Sequence, residues 1–143
     1  MRYCGSKARF MKELAPILSE HLNGTNTFVD AFMGGANVIS YIDYYKKVGI
    51  ELNKYVYALW NEVLTNSKIG INPEHWIPET ITRKQYDFIK NGYINNDELL
   101  PLWYTDWMIG YVGTCCSFGG AWFNGYAAYN KKKKEDHIKE ANR

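Results

Sequence analysis

Residues 28–37 read Phe-Val-Asp-Ala-Phe-Met-Gly-Gly-Ala-Asn, and this stretch decides the fold. It begins as a short β-rich run that ends in Gly34-Gly35, a pair typical of a tight turn. We expect a helix from Ala36 to about Tyr45, a second strand over Val48 to Leu52, and then another helix. Strand, glycine turn, helix, strand and helix in this order predict the opening of a parallel α/β sheet.

The glycine pair and an acidic residue on the next strand suggest a nucleoside site. Without Cβ atoms, Gly34-Gly35 lets the backbone approach a ligand closely, and the helix N-terminus beyond it can hold a carboxylate or phosphate. Glu51 is placed to accept both hydroxyl protons of a ribose. The dinucleotide fingerprint needs three spaced glycines, so a nucleoside without a pyrophosphate is the better prediction. A purely structural tight turn remains the alternative.

Besides Ala36 to Tyr45, four segments have helical patterns, one of them the helix that follows the second strand. The first runs from Ser6 to His21, with Ser6 as N-cap. The second is capped by Asn53, and its apolar face consists of Val56, Leu59, Trp60, Val63 and Leu64. The third begins with a capping box at Thr82–Gln85 and ends at Gly92, and the fourth is an apolar helix from Leu99 to about Thr114.

Composition bounds the class of protein. With 143 residues, 46% hydrophobic and 22% charged, the chain is one domain's worth of globular protein. Its apolar runs are too short to span a bilayer, and residues 1–7 show no secretory signal. Three cysteines, two of them adjacent at Cys115-Cys116, fit neither a disulfide framework nor a zinc site, so we expect a reducing cytoplasm. The net charge of +2 is compatible with nucleic acid without demanding it.

The aromatic content, 16% of the chain, is high. Amphipathic aromatic side chains suit surfaces that stack flat ligands such as nucleobases. An aromatic-rich core explains the same composition.

Three blocks of the sequence resemble the Dam-type (D12 class) DNA adenine-N6 methyltransferases. Residues 3–7, Tyr-Cys-Gly-Ser-Lys, are similar to the family's Y-x-G-[GS]-K block. Residues 28–37 are similar to its E/D-P-F-x-G-G/A-G loop, and residues 50–53, Ile-Glu-Leu-Asn, to its D-I-N block. Residues 113–126 resemble the C-S-[FY]-G-G-K-W-F-G-G-Y stretch of a phage-borne branch, so the resemblance covers nearly the whole chain.

The resemblance implies an α/β chain with an S-adenosylmethionine-dependent methyltransferase (Rossmann-like) fold, incomplete and carrying a helical insertion. S-adenosylmethionine would be the cofactor and double-stranded DNA the partner, with no metal needed. Residues 1–72 would form the donor-binding part, 73–130 the DNA-recognising insertion and 131–143 a charged tail. The expected donor contacts are Tyr3, Gly5, Lys7, Asp30, Phe32, Gly34, Gly35, Ala36, Asn37 and Glu51. The expected DNA contacts are Ser117, Trp122, Tyr126, Lys131 and Lys132.

The sequence departs from the family pattern at several positions. Ala31 replaces the usual proline, Glu51 replaces aspartate, and Ala121 and Asn124 stand where the phage branch has Lys and Gly. The catalytic D-P-P-Y block, which holds the target adenine of flipped DNA, is absent, because no two of the four prolines are adjacent.

In the family the D-P-P-Y block follows the segment that ends this chain. We therefore expect the N-terminal, donor-binding portion of a methyltransferase, inactive alone. It would pair with a second chain that carries the missing half, or self-associate through uncovered apolar surface.

Two other classes of function stay open. The chain could be a non-catalytic remnant that binds DNA or a protein partner, or an enzyme that uses the same turn for NAD or a phosphate. The missing glycines and the absent P-loop lysine disfavour the second. The run Lys131–Lys134 suggests a phosphate-binding patch, but such a run is more often a solvated face.

Overall fold

The computed structural model describes residues 3–24, 26–129 and 131–141, in which two compact units are found. One unit is Gly5–Leu52, and the other combines residues 3–4 with the chain from Asn53 onward. No helix in the described part of the chain is long and apolar enough to cross a membrane.

The Gly5–Leu52 unit carries the predicted parallel pair of strands. Its elements are a 3-10 turn at Ala8–Phe10, helix α1 (Met11–Ser19), strand β1 (Phe28–Asp30), helix α2 (Asn37–Tyr41) and strand β2 (Lys47–Gly49). The strands run parallel with Val29 opposite Val48, which confirms the predicted order.

Three elements of this unit are shorter than predicted. β2 ends at Gly49, because the chain then turns and the Ile50 carbonyl accepts from the N–H of Met33 in the glycine loop at 3.0 Å. α2 ends at Tyr41, where the Lys47 ammonium donates to the carbonyls of Ile39 and Ile42 and so satisfies the end of the helix. The α-helix predicted from Ser6 begins only at Met11, and the Ser6 hydroxyl instead accepts from Ala8 N–H in the 3-10 turn.

The second unit is helical. It contains α3 (Lys54–Lys68), α4 (Pro73–Trp76), α5 (Arg83–Ile94), α6 (Leu100–Trp103), α7 (Asp106–Cys115), a 3-10 turn at Phe118–Gly120 and α8 (Lys131–Ala141). The compact units divide at Asn53, whereas the predicted functional division lies at residue 72. The difference arises because α3 packs along α7.

Both predicted helix caps are confirmed. The Asn53 side chain accepts from the N–H groups of Tyr55 and Val56 at the start of α3. Thr82 and Gln85 form a reciprocal capping box at the start of α5. Each cap satisfies amide groups that the first turn leaves without a helical partner.

Two helix boundaries differ from the sequence prediction. α5 continues through Gly92 to Ile94, and the chain turns at Asn96, which has a φ of 51°. Gly92 therefore lies inside the helix, at a position where a Cβ would press on the methyl groups of Leu100. The helix predicted from Leu99 to Thr114 is two helices, separated where Tyr104 is extended.

The core of the helical unit forms where α3 meets α7. Val56 and Leu59 of α3 and Ile109 and Val112 of α7 are buried, but Leu64, predicted on the same face of α3, is 54% exposed. Gly110 allows the close approach of the helices, because a Cβ at this position would overlap the carbonyl oxygen of Tyr55. Gly110, a poor helix former by itself, is therefore required by packing.

Replacing Gly110 with Ala should destabilise the protein by about 1–3 kcal/mol, the typical cost of overpacking a rigid contact. Gly92→Ala is the matched control, since it also adds a methyl group inside a helix, but against the movable end of Leu100. Urea unfolding measures both. Equal stability of the two variants would contradict the close contact between α3 and α7.

Candidate functional site

The glycine loop after β1 is held by the carboxylate of Glu51. The N–H of Gly34 donates to Oε2 of Glu51 at 2.9 Å. Ile50, the first residue after β2, donates its N–H to the Asp30 carbonyl at 2.8 Å, and its own carbonyl accepts from the N–H of Met33. The loop and Glu51 are thus joined within one unit, as the α/β interpretation requires.

The loop has a backbone conformation that depends on small residues. Gly34 has a φ of 47° and Ala36 a φ of 56°, both in the left-handed region. A non-glycine residue there costs roughly 1 kcal/mol or more, and such strain clusters at functional sites. The Ala36 N–H donates to Met33 at 2.7 Å, which closes the turn immediately before α2.

Asp30 contributes a buried carboxylate to the same loop. Its side chain is 9% exposed, and Oδ1 accepts from the Phe32 N–H at 3.4 Å. Oδ2 is buried and has no hydrogen-bond partner within the described part of the chain. A buried acceptor without a partner is costly, so this oxygen marks a place where a ligand donor or cation would be stabilised.

The other predicted donor contacts are placed as follows. Phe32 is 92% exposed, Asn37 begins α2, and Gly5 and Lys7 are exposed just before the 3-10 turn. Tyr3 belongs to the helical unit, where the N–H of the next residue donates to the Gly120 carbonyl at 3.2 Å. Because α2 has only five residues, binding at this loop would depend on the loop and its side chains.

Ser117, predicted to contact DNA, lies in the interior. It is 4% exposed, and its hydroxyl donates to the Val112 carbonyl at 3.4 Å. The Tyr86 hydroxyl therefore donates to Ser117 at 3.0 Å and in turn accepts from the Gly125 N–H at 3.1 Å. This burial and these internal hydrogen bonds disfavour a DNA contact by Ser117 and indicate a structural role.

Tyr126, another predicted DNA contact, also uses its polar group internally. Its hydroxyl donates to the Ile81 carbonyl at 2.7 Å and accepts from the Tyr129 N–H at 3.2 Å. Trp122 stacks on Tyr55 with ring centroids 6.1 Å apart and also contacts Tyr93 edge-on. Much of the aromatic content thus packs in the core, as the plainer of the two interpretations expected.

The lysine run lies on α8, where two of its lysines have partners within the protein and Lys132 is exposed to solvent. Lys134 pairs with Glu79, and the Lys133 ammonium donates to the Ala127 carbonyl at 3.2 Å. Lys132 is exposed, but so are Glu135 and Asp136 on the same helix. The side chain of Lys131 lies outside the described residues. The described face is of mixed charge rather than a continuous basic patch.

Sequence reasoning missed two features of these sites. Tyr86 is fully buried and links α5 to the segment around Gly125. Gly49 is needed because Met33 packs against it, and a Cβ there would overlap the Met33 sulfur. Both contacts join residues distant in sequence, so no local pattern signals them. Among the described residues, no group of three His, Cys, Asp or Glu side chains could hold a metal ion.

The family model of the D12 class N6 adenine-specific DNA methyltransferases matches residues 3–141. This match spans nearly the whole chain, so the chain belongs to that family, and the family resemblance is confirmed. Membership supports a DNA adenine methyltransferase kind of function. Neither a search of curated proteins nor a search of solved structures found a significant match.

The internal network around Ser117 can be tested by removing the hydroxyl of Tyr86. Tyr86→Phe leaves the Gly125 N–H without its acceptor and removes the donor to the Ser117 oxygen, which should cost about 1–3 kcal/mol. Tyr57→Phe, at a half-exposed tyrosine of α3, is the control and should change the free energy of unfolding by less than about 0.5 kcal/mol. Thermal or urea unfolding that does not distinguish the two would contradict the buried network.

Proposed function

We propose that the Gly5–Leu52 unit binds S-adenosylmethionine as the donor part of a DNA adenine-N6 methyltransferase. The observation that carries this proposal is the hydrogen bond between Gly34 and Glu51. It joins the glycine loop to an acidic side chain at the end of the next strand. That pairing is suited to a ribose beside a close backbone approach.

The residues present fit the charge pattern of this cofactor. S-adenosylmethionine has a ribose diol, an ammonium and a sulfonium, all of which favour carboxylate neighbours. Oδ2 of Asp30 is buried and has no hydrogen-bond partner among the described residues. Glu51, whose Oε2 accepts from the Gly34 N–H, provides a second carboxylate at the same loop. We assign Asp30 to the cationic end of the donor and Glu51 to the ribose.

The loop itself would position the donor. Gly34 and Gly35 are buried within the loop and carry no side chain that would hold a ligand away from the backbone, while the exposed ring of Phe32 offers a surface for stacking a flat base. When bound, S-adenosylmethionine supplies an electrophilic methyl group on sulfur. The contribution of this chain is then orientation rather than acid or base chemistry.

The DNA-facing role belongs to the helical unit in this proposal. Double-stranded DNA would be the partner, since the family acts on adenine in DNA. Ser117 and the Tyr126 hydroxyl are engaged internally and Trp122 packs against Tyr55 and Tyr93, so this proposal keeps Lys131 and Lys132 as the predicted contacts. A non-catalytic remnant that binds DNA or protein without a donor is the alternative.

Glu51→Ala should weaken binding of S-adenosylmethionine about 10- to 100-fold, because hydrogen bonds to a charged group contribute roughly 1.5–3 kcal/mol. Isothermal titration calorimetry of the full chain measures this change. Glu20→Ala removes an exposed carboxylate from the same unit and should leave the affinity unchanged. Equal affinity of both variants would contradict the ribose role, and absence of heat from the wild type would favour the remnant.

A protein of these 143 residues should bind the donor without methylating DNA. The lone pair of an adenine amine is delocalised into the ring, and the amine becomes nucleophilic only when acceptors hold its hydrogens. In the family the D-P-P-Y block supplies those acceptors, and neither Asp106 nor Asp136 is followed by a proline pair. Labelled methyl transfer by the pure chain would overturn this expectation. Transfer that requires a second chain bearing D-P-P-Y would support a split enzyme.

A further inference from the structure

Three side chains form a hydrogen-bonded series that holds α8 on the helical unit. The Tyr111 hydroxyl lies 2.8 Å from the Tyr129 hydroxyl and 2.6 Å from Nδ1 of His137. The Tyr129 hydroxyl reaches the Pro78 carbonyl at 2.9 Å. The series therefore runs from α8 through α7 to the segment that follows α4.

The direction of these hydrogen bonds follows from counting protons. A carbonyl oxygen only accepts, so Tyr129 uses its single hydroxyl proton on Pro78. Tyr111 must then donate to Tyr129, and its oxygen accepts from His137. This arrangement fixes the neutral imidazole as the Nδ1–H tautomer, and an added proton goes to Nε2.

The surroundings of His137 disfavour that added proton. Its ring contacts the rings of Tyr111 and Tyr129, and Lys133 lies one helical turn before it. Burial, with Lys133 as the second cause, lowers the pKa of His137 to about 4, although Asp136 opposes the shift. Burial also raises the pKa of Tyr111 far above its usual range and that of Tyr129 to about 12.

The other ionisable groups near this series are few. Cys115 and Cys116 lie beside Tyr111 and Tyr129, and burial raises the pKa of the Cys116 thiol well above its usual value. Glu79 pairs with Lys134 across from α8. Of the three side chains in the series, His137 alone changes its charge between pH 4 and 8.

We propose that the docking of α8 is linked to protonation of His137, so that acidification releases the helix and frees Lys133 and Lys134 from their internal partners. Lys133 and Lys134 hold the first turn of α8 through the Ala127 carbonyl and Glu79. His137, one turn later, holds the helix through the Tyr111 hydroxyl. Release would convert a face of mixed charge into a mobile segment with four available lysines.

The sign of the effect follows from the lowered pKa. The released state, with an ordinary histidine, binds more protons below about pH 6.5 than the docked state does. Docking is therefore strongest above pH 6.5 and weakens as the pH falls toward 4. For the cited pKa values, docking at pH 5 is roughly 30-fold weaker than at pH 7.5.

Hydrogen exchange of the full chain at pH 7.5 and 5.0, corrected for the intrinsic rate, tests the proposal. Protection in peptides that cover α8 should fall about 30-fold, while protection in α5 stays constant. His137→Asn keeps an N–H donor near the Nδ1 position but cannot titrate, so its α8 protection should not depend on pH. His75→Asn, at an exposed histidine, should retain the wild-type dependence. Equal protection at both pH values in the wild type, or the same loss in His137→Asn, would overturn the proposal.

Nitrogen-15 NMR of the wild-type histidine rings provides a test that needs no variant. His137 should show the Nδ1–H tautomer at neutral pH and a titration midpoint below 5. A midpoint near 6.5, or the opposite tautomer, would disprove the linkage. Neither measurement uses the methyl donor or DNA, so their outcome is independent of the proposed function.

Discussion

The hydrogen bond from the Gly34 amide to the Glu51 carboxylate is the interaction on which the candidate site depends. Two strands of three residues each cannot fix a loop by themselves, because so short a parallel pair has little pairing energy. Glu51, Ile50 and Met33 together hold the loop against the end of β2. The Glu51 side chain spans the distance from the segment after β2 to the loop amide.

The helical unit depends on a different constraint, the close approach of α3 and α7 at Gly110. With these helices in place, Trp122 and Phe123 of the segment after α7 pack against each other, and Phe123 also packs against Tyr93 of α5. Gly113 follows the same rule, since a Cβ there would lie 2.6 Å from the Trp122 ring. The aromatic-rich composition is thus explained largely by packing, and only part of it remains for ligand contacts.

Local patterns predicted the features that local forces decide. The Asn53 cap and the Thr82–Gln85 capping box depend on residues close in sequence, and the order of β1 and β2 follows from the pattern of strand, turn, helix and strand in one continuous segment. The helical glycines Gly92 and Gly110 are explained by contacts with Leu100 and Tyr55 on other helices, which no local pattern shows. The candidate loop was visible because Gly34-Gly35 and Glu51 form a motif, whereas the roles of Met33 and Tyr86 arise from contacts that no motif encodes.

The division of the lysines on α8 has a consequence for counterion release. Each phosphate that a protein neutralises releases condensed cations, so the logarithm of affinity falls with the logarithm of salt by about 0.9 per contact on duplex DNA. While α8 is docked, Lys134 is paired with Glu79 and Lys133 donates to the Ala127 carbonyl, so neither ammonium is directed at a phosphate. The docked helix would then contribute about 2 less to that slope than a fully available run of four lysines. A chain that looks strongly basic near its end in sequence would therefore interact with DNA as a weakly charged, salt-tolerant surface.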